Sequence, residues 1–533
     1  MSEIYFNGTI LTMDETCPQV QAVFLEDGRI RRRGTDKEVL ACKKEETVCI
    51  DLQGKTMLPG FIDGHSHFAG LANSLSQCDL SQAEDFEDII RRLKAFIKEN
   101  EIPEGQWVIG TNYDHNFLLE NSHPDKRVLD KVSNRHPVLI IHASSHMGVT
   151  NSMGLRMQGL DRAVPDPEGG RYGRADGSRE LSGYMEETAF VGFRGKMPMV
   201  DRDALMLLFR KAQEIYASYG VTTVQEGMVT EPLFRILQYA EQQHALYLDL
   251  AGYIDLENHE DLLTRHEEYA DHYRNHFKIG GYKIFLDGSP QGRTAWMKEP
   301  YAGAEDGYCG YPIKKDAEVY RLIRKALKNH RQLLAHCNGD AAAEQYITQF
   351  EKVRSDFPAA DTHRPVMIHA QLVQKKQLER MAEISMIPSF FIAHTYYWGD
   401  IHIRNFGMAR AANISPAGSA SRLKLPFTLH QDSPVLMPDV FGTIWCGAKR
   451  ITKAGVQLSK EERIGVYEGL KAMTVHGAYQ YGEERDKGTI EEGKLADLII
   501  LDKNPLDIPV DEVKHIKVLE TIKEGRVVYR RRS

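Results

Sequence analysis

The sequence predicts an α/β protein built on a TIM-like (β/α)8 barrel, with a small β-sandwich formed from both chain ends and a large insertion after the first barrel strand. Three observations point that way. Short apolar runs alternate with longer helical stretches through the middle of the chain, and eight of these runs read as parallel strands. The two ends read instead as short strands and turns. The gap between the first two apolar runs is far too long for a single helix.

Each element follows in order. Near the start, Ile4 to Phe6, Ala22 to Leu25 and Val48 to Leu52 are strand-like, and Asn7-Gly8 and Asp27-Gly28 are hairpin signals. Barrel strands are expected at Leu58 to Asp63, Val221 to Gln225, Leu246 to Ile254 and Tyr282 to Asp287. Four more are expected at Gln332 to His336, Val366 to Ala370, Met386 to Ile392 and Phe427 to Asp432. Ala204 to Tyr219 and Arg321 to Asn329 mix apolar and charged positions as connecting helices do. At the end, Ala496 to Leu501 forms a compact apolar strand. Val518 to Ile522, Glu524-Gly525 and the run to Tyr529 form a hairpin. The expected domains are therefore residues 1–58 with 483–533, and a barrel over 59–482. An insertion at about 70–200, rich in Asp, Gly, Pro and His, is expected to cap the barrel mouth. There is no internal repeat.

Composition narrows the function. With 533 residues, 42% of them hydrophobic, 27% charged and 43 glycines, the chain reads as a globular enzyme larger than one compact core. A net charge of −8 gives no general attraction to nucleic acid or anionic membrane. Cys17, Cys42, Cys49, Cys78, Cys309, Cys337 and Cys446 contain no C-x-x-C pair, so neither a disulfide framework nor a structural zinc knot is expected. No signal peptide or membrane-length apolar run is visible, which makes the cytoplasm the expected location.

The strongest chemical signal is Pro59-Gly60-Phe61-Ile62-Asp63-Gly64-His65-Ser66-His67. In an extended chain residues two apart face the same side, so His65 and His67 can offer two imidazoles to one ion. An isolated H-x-H is more often a pair of surface histidines; here an apolar strand precedes it. Lys283, His336, His369 and Asp432 each lie at or near the end of another apolar run. Taken singly each has an ordinary explanation, and a buried pair with Asp287 would account for Lys283. Six such residues converging on the face where barrel active sites form are harder to explain by structure alone.

This pattern resembles the amidohydrolase superfamily, most closely the branch of large enzymes that includes N-substituted formamide deformylase. The resemblance runs from Leu58 to His67 through Gly220-Val221-Thr222-Thr223-Val224, Lys283 to Ser289, His336 to Ala342 and Asp432 to Val435, and on to Gly493 to Leu498. It implies that His65, His67 and Asp432 hold one metal, and that Lys283, carbamylated by carbon dioxide, bridges to a second held by His336 and His369. Ala341 and His430-Gln431 depart from the usual pattern without removing a ligand. The expected cofactor is Zn2+, as one or two ions, with nickel, manganese or iron able to occupy the same donors.

The expected reaction is hydrolysis of an amide, N-formyl or N-acyl bond of a small molecule by a metal-bound hydroxide, with Asp432 as proton shuttle. Deamination, cyclic amide opening and ester hydrolysis by the same residues stay open, as does a non-catalytic regulator that keeps the barrel. His142 and His146 fall in a segment that the family uses near substrate. Glu187, Arg293, His394 and Trp398 are further substrate-binding candidates, each with a structural alternative: a charged helix face for Glu187, a loop closure for Arg293. A homodimer is the default assembly.

Overall fold

A computed structural model describes residues 2–142, 146–175, 177–197, 202–270, 272–357 and 363–532 of the chain. Eight strands lie side by side in chain order in one parallel sheet: β1 (Phe61–Ile62), β2 (Val221–Val229), β3 (Asp249–Asp255), β4 (Phe277–Phe285), β5 (Gln332–Cys337), β6 (Val366–His369), β7 (Ile387–Phe390) and β8 (Thr428–Leu429). Helices such as Glu231–Gln242, Asp316–Lys328, Asp340–Asp356 and Lys375–Glu383 fall between consecutive strands. The fold is thus α/β and TIM-barrel-like.

The sheet curls until its first and last strands meet. A Cβ on Gly64, just past β1, would stand 2.7 Å from Thr428 Oγ1 and 3.0 Å from Leu429 O on β8. Gln480 stitches this seam: its amide donates to Gly64 O at 2.7 Å and its carbonyl accepts from Thr428 Oγ1 at 2.7 Å. Ile62, Tyr253, Leu334, Ile368 and Ile387 from different strands pack with Ala478 and Tyr481 in one buried cluster.

The expected strand from Leu58 to Asp63 is two strands. Thr56–Pro59 pairs antiparallel with Leu498–Leu501 in a terminal sheet, while Phe61–Ile62 pairs with β2. Gly60 marks the switch, where a Cβ would come within 2.6 Å of Thr222 Oγ1. That terminal sheet has six strands drawn from both chain ends, and a four-stranded sheet formed by residues 2–51 shares a buried core with it through Tyr5, Val23, Ile10, Leu498 and Ile522. Asp27-Gly28 is a hairpin turn between Ala22–Glu26 and Arg29–Gly34. Asn7-Gly8 is not: Ser2–Phe6 and Thr9–Leu11 belong to different sheets, and the turn passes the chain from one to the other.

Residues 72–208 form a separate unit. Its six-stranded sheet runs in the order Gly170–Arg174, Leu181–Glu187, Met147–Thr150, Val138–His142, Val108–Tyr113, Gln77–Asp79. Helix Phe86–Glu99, capped by the Asp85 carboxylate, buries Ile89, Ile90 and Leu93 in the core of this unit. All seven cysteines are free. Among the described residues no helix is long and apolar enough to cross a membrane.

Candidate metal centre

The segment after β1 is pinned on both flanks. His67 N donates to Ser433 O at 2.8 Å across the seam, and Gly227 N donates to Ser66 O at 2.8 Å from β2. Both imidazoles are tethered through their outer nitrogens. His65 Nδ1 lies 2.6 Å from Gln225 Oε1, and His67 Nδ1 lies 3.5 Å from Glu226 Oε1. The Nε2 atoms of both rings then face Asp432 Oδ1, each at 3.6 Å. Among the described residues, His65, His67 and Asp432 bring one donor atom each within 4.8 Å of one another.

The remaining predicted residues close around these three. Lys283 Nζ is 3.2 Å from His65 Nε2, and the side chain is fully buried. The alternative pairing with Asp287 is not formed: that carboxylate accepts from the backbone N–H groups of Asn338, Gly339 and Trp296 at 2.9, 2.7 and 3.0 Å. His336 Nδ1 and His369 Nε2 stand 3.1 Å apart, and His369 Nε2 is 3.9 Å from Asp432 Oδ2. On the far side of the His336 ring, Nε2 lies 2.9 Å from the Asn338 amide nitrogen and 3.4 Å from Gly288 O.

Burial sets the electrostatics. It pushes the His65 and His369 imidazoles well below their ordinary pKa and His336 to about 3, with the Lys283 charge adding to the effect in each. These rings are therefore neutral near pH 7 and keep a lone pair for a cation. Burial also disfavours charge on His67, but its hydrogen bond to Glu226 and the nearby Asp432 outweigh this and raise its pKa. Burial lowers Lys283 to about 7. It raises Asp432, against the pull of His67 and Lys283.

Asp432 Oδ1 is buried and receives no hydrogen bond from any described donor. A buried carboxylate oxygen with no hydrogen-bond donor, facing the His65 and His67 imidazoles, is costly in an apolar interior and suits a divalent cation. His65, His67 and Asp432 thus fit a divalent metal ion, with Lys283, His336 and His369 around them.

Two further groups, which their isolated positions in the sequence did not signal, complete the surroundings. His430 Nε2 lies 3.2 Å from His369 Nδ1, and its own Nδ1 meets Ser389 Oγ at 2.8 Å, so the pair fixes the His369 ring. Gln225 hydrogen-bonds both His65 and, at 2.7 Å, the Tyr481 hydroxyl. Polar residues inside an apolar strand are the signal that could have found Gln225 and Glu226.

The expected substrate-binding residues divide into separate settings. His394, buried, packs against Trp398 with ring centroids 4.5 Å apart, and Phe391 stands beside both and 6.2 Å from His369. Arg293 closes a loop, donating to Ala302 O at 3.2 Å with its guanidinium over the Tyr301 ring. His146 and Glu187 meet each other, Nδ1 to Oε2 at 3.0 Å, as a largely exposed pair in the 72–208 unit. Glu187 ends a strand there and occupies no helix face. His142 lies in the same unit, and Ala143 to Ser145 fall outside the described residues.

Comparison with known proteins gives a consistent picture. A family model described as "Amidohydrolase family" matches residues 48–529. The chain is 28% identical to the N-substituted formamide deformylase of Arthrobacter pascens, over 98% of each chain. It is 27% identical to the putative amidohydrolase YtcJ of Bacillus subtilis, over 99% of each. Among solved structures it resembles an uncharacterized metal-dependent hydrolase from Pyrococcus furiosus, with a TM-score of 0.76, 25% identity and coverage of 95% of this chain and 100% of that one.

Proposed function

The chain belongs to the amidohydrolase family, and from that premise we propose that it is a metal-dependent hydrolase of a carbon–nitrogen bond in a small amide, N-formyl or N-acyl amine. The observation that carries this reading is the unsatisfied Asp432 Oδ1 facing His65 Nε2 and His67 Nε2 at the mouth of β1 and β8.

In this reading His65, His67 and Asp432 hold one divalent ion. His336 and His369, with Lys283 as a carbamate, hold a second. A pKa near 7 leaves much of Lys283 as the neutral amine that adds to carbon dioxide, losing a proton and gaining an anionic oxygen donor. A divalent ion bound at such a site lowers the pKa of its water to about 7 and so supplies hydroxide at neutral pH. Gln225 holds His65 in the tautomer that turns its Nε2 lone pair inward, and His430 does the same for His369. The Asp432 carboxylate accepts the proton of the attacking water and passes it to the departing nitrogen, so that amine and carboxylate leave together. Phe391, His394 and Trp398 supply an aromatic wall with a polar handle near the His369 side.

The test is a substrate panel of N-formyl amines, N-acyl amines, cyclic amides, esters and aminopurines, run on zinc-loaded and chelator-stripped protein. Release of an amine and a carboxylate from N-formyl or N-acyl compounds, lost on stripping and restored by zinc, supports the proposal. Ammonia release from aminopurines alone, or equal turnover by stripped protein, contradicts it.

A further inference from the structure

We propose that the 72–208 unit carries a divalent-metal site of its own, formed by Asp114, His115 and His142. Strand register brings the three together. Val108–Tyr113 and Val138–His142 run parallel with Tyr113 opposite His142, so the residues just past the first strand meet the end of the second at the C-terminal ends of these two neighbouring strands. His115 Nδ1 is 3.2 Å from His142 Nε2, while Asp114 Oδ1 is 3.5 Å from His142 Nε2 and 3.8 Å from His115 Nδ1. A tetrahedral zinc ion with bonds of about 2.1 Å holds its donors about 3.4 Å apart. The triangle already has that size.

The surroundings are those of a held ligand set. Asn116 donates its backbone N–H and its side-chain amide to Asp114 Oδ1 at 2.9 and 2.8 Å, which orients the carboxylate as outer hydrogen bonds orient metal ligands. The His123 ring lies against His115 with centroids 3.9 Å apart, and its Nδ1 is 3.1 Å from the Tyr113 hydroxyl. The side chains of Asp114 and His115 are 26% and 28% exposed, so solvent and ions reach the cluster. Two imidazoles and one carboxylate are the donor set of a transition metal of the zinc class.

A second cluster with similar spacing shows the contrast. Asp249, His276 and Glu524 also bring donor atoms together, but Lys487 and Lys523 sit on Asp249 Oδ2 at 2.6 and 2.7 Å and already neutralise it. Among the described residues no lysine or arginine forms an ion pair with Asp114, whose carboxylate faces only imidazoles and amides. Without an ion the two imidazoles share an ordinary N–H···N hydrogen bond, and metal stoichiometry separates the two states.

The full-length protein is stripped with chelator, re-equilibrated with zinc and analysed for zinc per chain and affinity, alongside His115→Ala and His142→Ala variants. We expect both variants to bind one zinc fewer than wild type, or to bind it with affinity lowered more than about 100-fold, beyond the cost of losing an outer partner. Equal stoichiometry and affinity in wild type and both variants overturns the site. A chain with His65, His67, His336 and His369 all changed to alanine, and a circular dichroism spectrum matching wild type, should still take up one cobalt(II) with tetrahedral visible absorption. Adding His142→Ala should remove that band. No cobalt uptake by the folded four-fold variant also overturns the site, and neither outcome depends on whether the barrel turns over substrate.

Discussion

Asp432 holds a left-handed backbone, φ 55°, and His369 another at 73°. Conformations of this kind cost non-glycine residues on the order of 1–3 kcal/mol and cluster where the surrounding fold imposes them for function. Both residues sit at the ends of barrel strands, where a small backbone rotation would swing a donor atom away from the centre. Asp432→Asn keeps the shape and an oxygen donor but removes the base. We expect kcat to fall by about 10²- to 10⁴-fold with the zinc content matched to wild type; turnover within a factor of a few of wild type would remove Asp432 from proton transfer. At this scale the sequence was informative where a polar residue ended an apolar run, as for His336, His369 and Asp432. It was silent on what aims them. Gln225 reaches His65 across 160 residues of chain, and His430 reaches His369 across 61, contacts that exist only once strand register is set.

Strands and their junctions decide how closely those side chains meet. Gly227 lies where β2 passes the His65 ring: a Cβ there would fall 3.0 Å from Nδ1 and closer still to Cε1. The ring has little freedom to move, since Gln225 holds Nδ1. Gly227→Ala should therefore tilt the imidazole, lower zinc affinity by about 10- to 100-fold, as loss of ligand orientation does, and destabilise the fold by about 1–3 kcal/mol through overpacking. Isothermal titration with zinc and urea unfolding read the two effects separately, and unchanged zinc affinity would show that the ring is not held as described. Eight apolar runs were visible in the sequence and all eight became strands. The division of Leu58 to Asp63 at Gly60 was not, because both halves are apolar and only their pairing partners differ. The Asn7-Gly8 turn misled for a similar reason, since a turn signal does not say whether the flanking strands share a sheet.

Across the whole molecule, the end of the barrel opposite the site is locked by buried charge. Asp249, at the start of β3, meets Lys523 of the carboxy-terminal hairpin at 2.7 Å and Lys487 at 2.6 Å, while Asp497 and Glu483 complete the neutralisation at 2.9 and 2.6 Å. Burial alone would raise the Asp249 pKa, but the Lys487 and Lys523 charges outweigh it and hold the carboxyl well below its ordinary value of 3.8. Removing it takes the shared counter-ion from two buried ammonium groups and leaves the cluster short of negative charge, so Asp249→Ala should cost about 3–5 kcal/mol. A depressed carboxylate pKa gives stability that is complete above the unfolded value and lost as pH falls through the folded one. The difference between wild type and variant should accordingly stay flat from about pH 5 to 8 and shrink below about pH 4. Denaturant midpoints across that range check it; a difference that grows on acidification contradicts the pairing. The sequence showed that both ends were β-rich, yet not that a lysine from one would anchor on a barrel strand. The long insertion announced itself by length alone, and its six-stranded sheet with its own core required coordinates.

Anomalous diffraction at the zinc edge from crystals of the zinc-loaded protein tests the central claim most directly. We expect an ion bonded at about 2.0–2.2 Å to His65 Nε2, His67 Nε2 and Asp432. An active, zinc-requiring protein with no anomalous peak among these residues would contradict it.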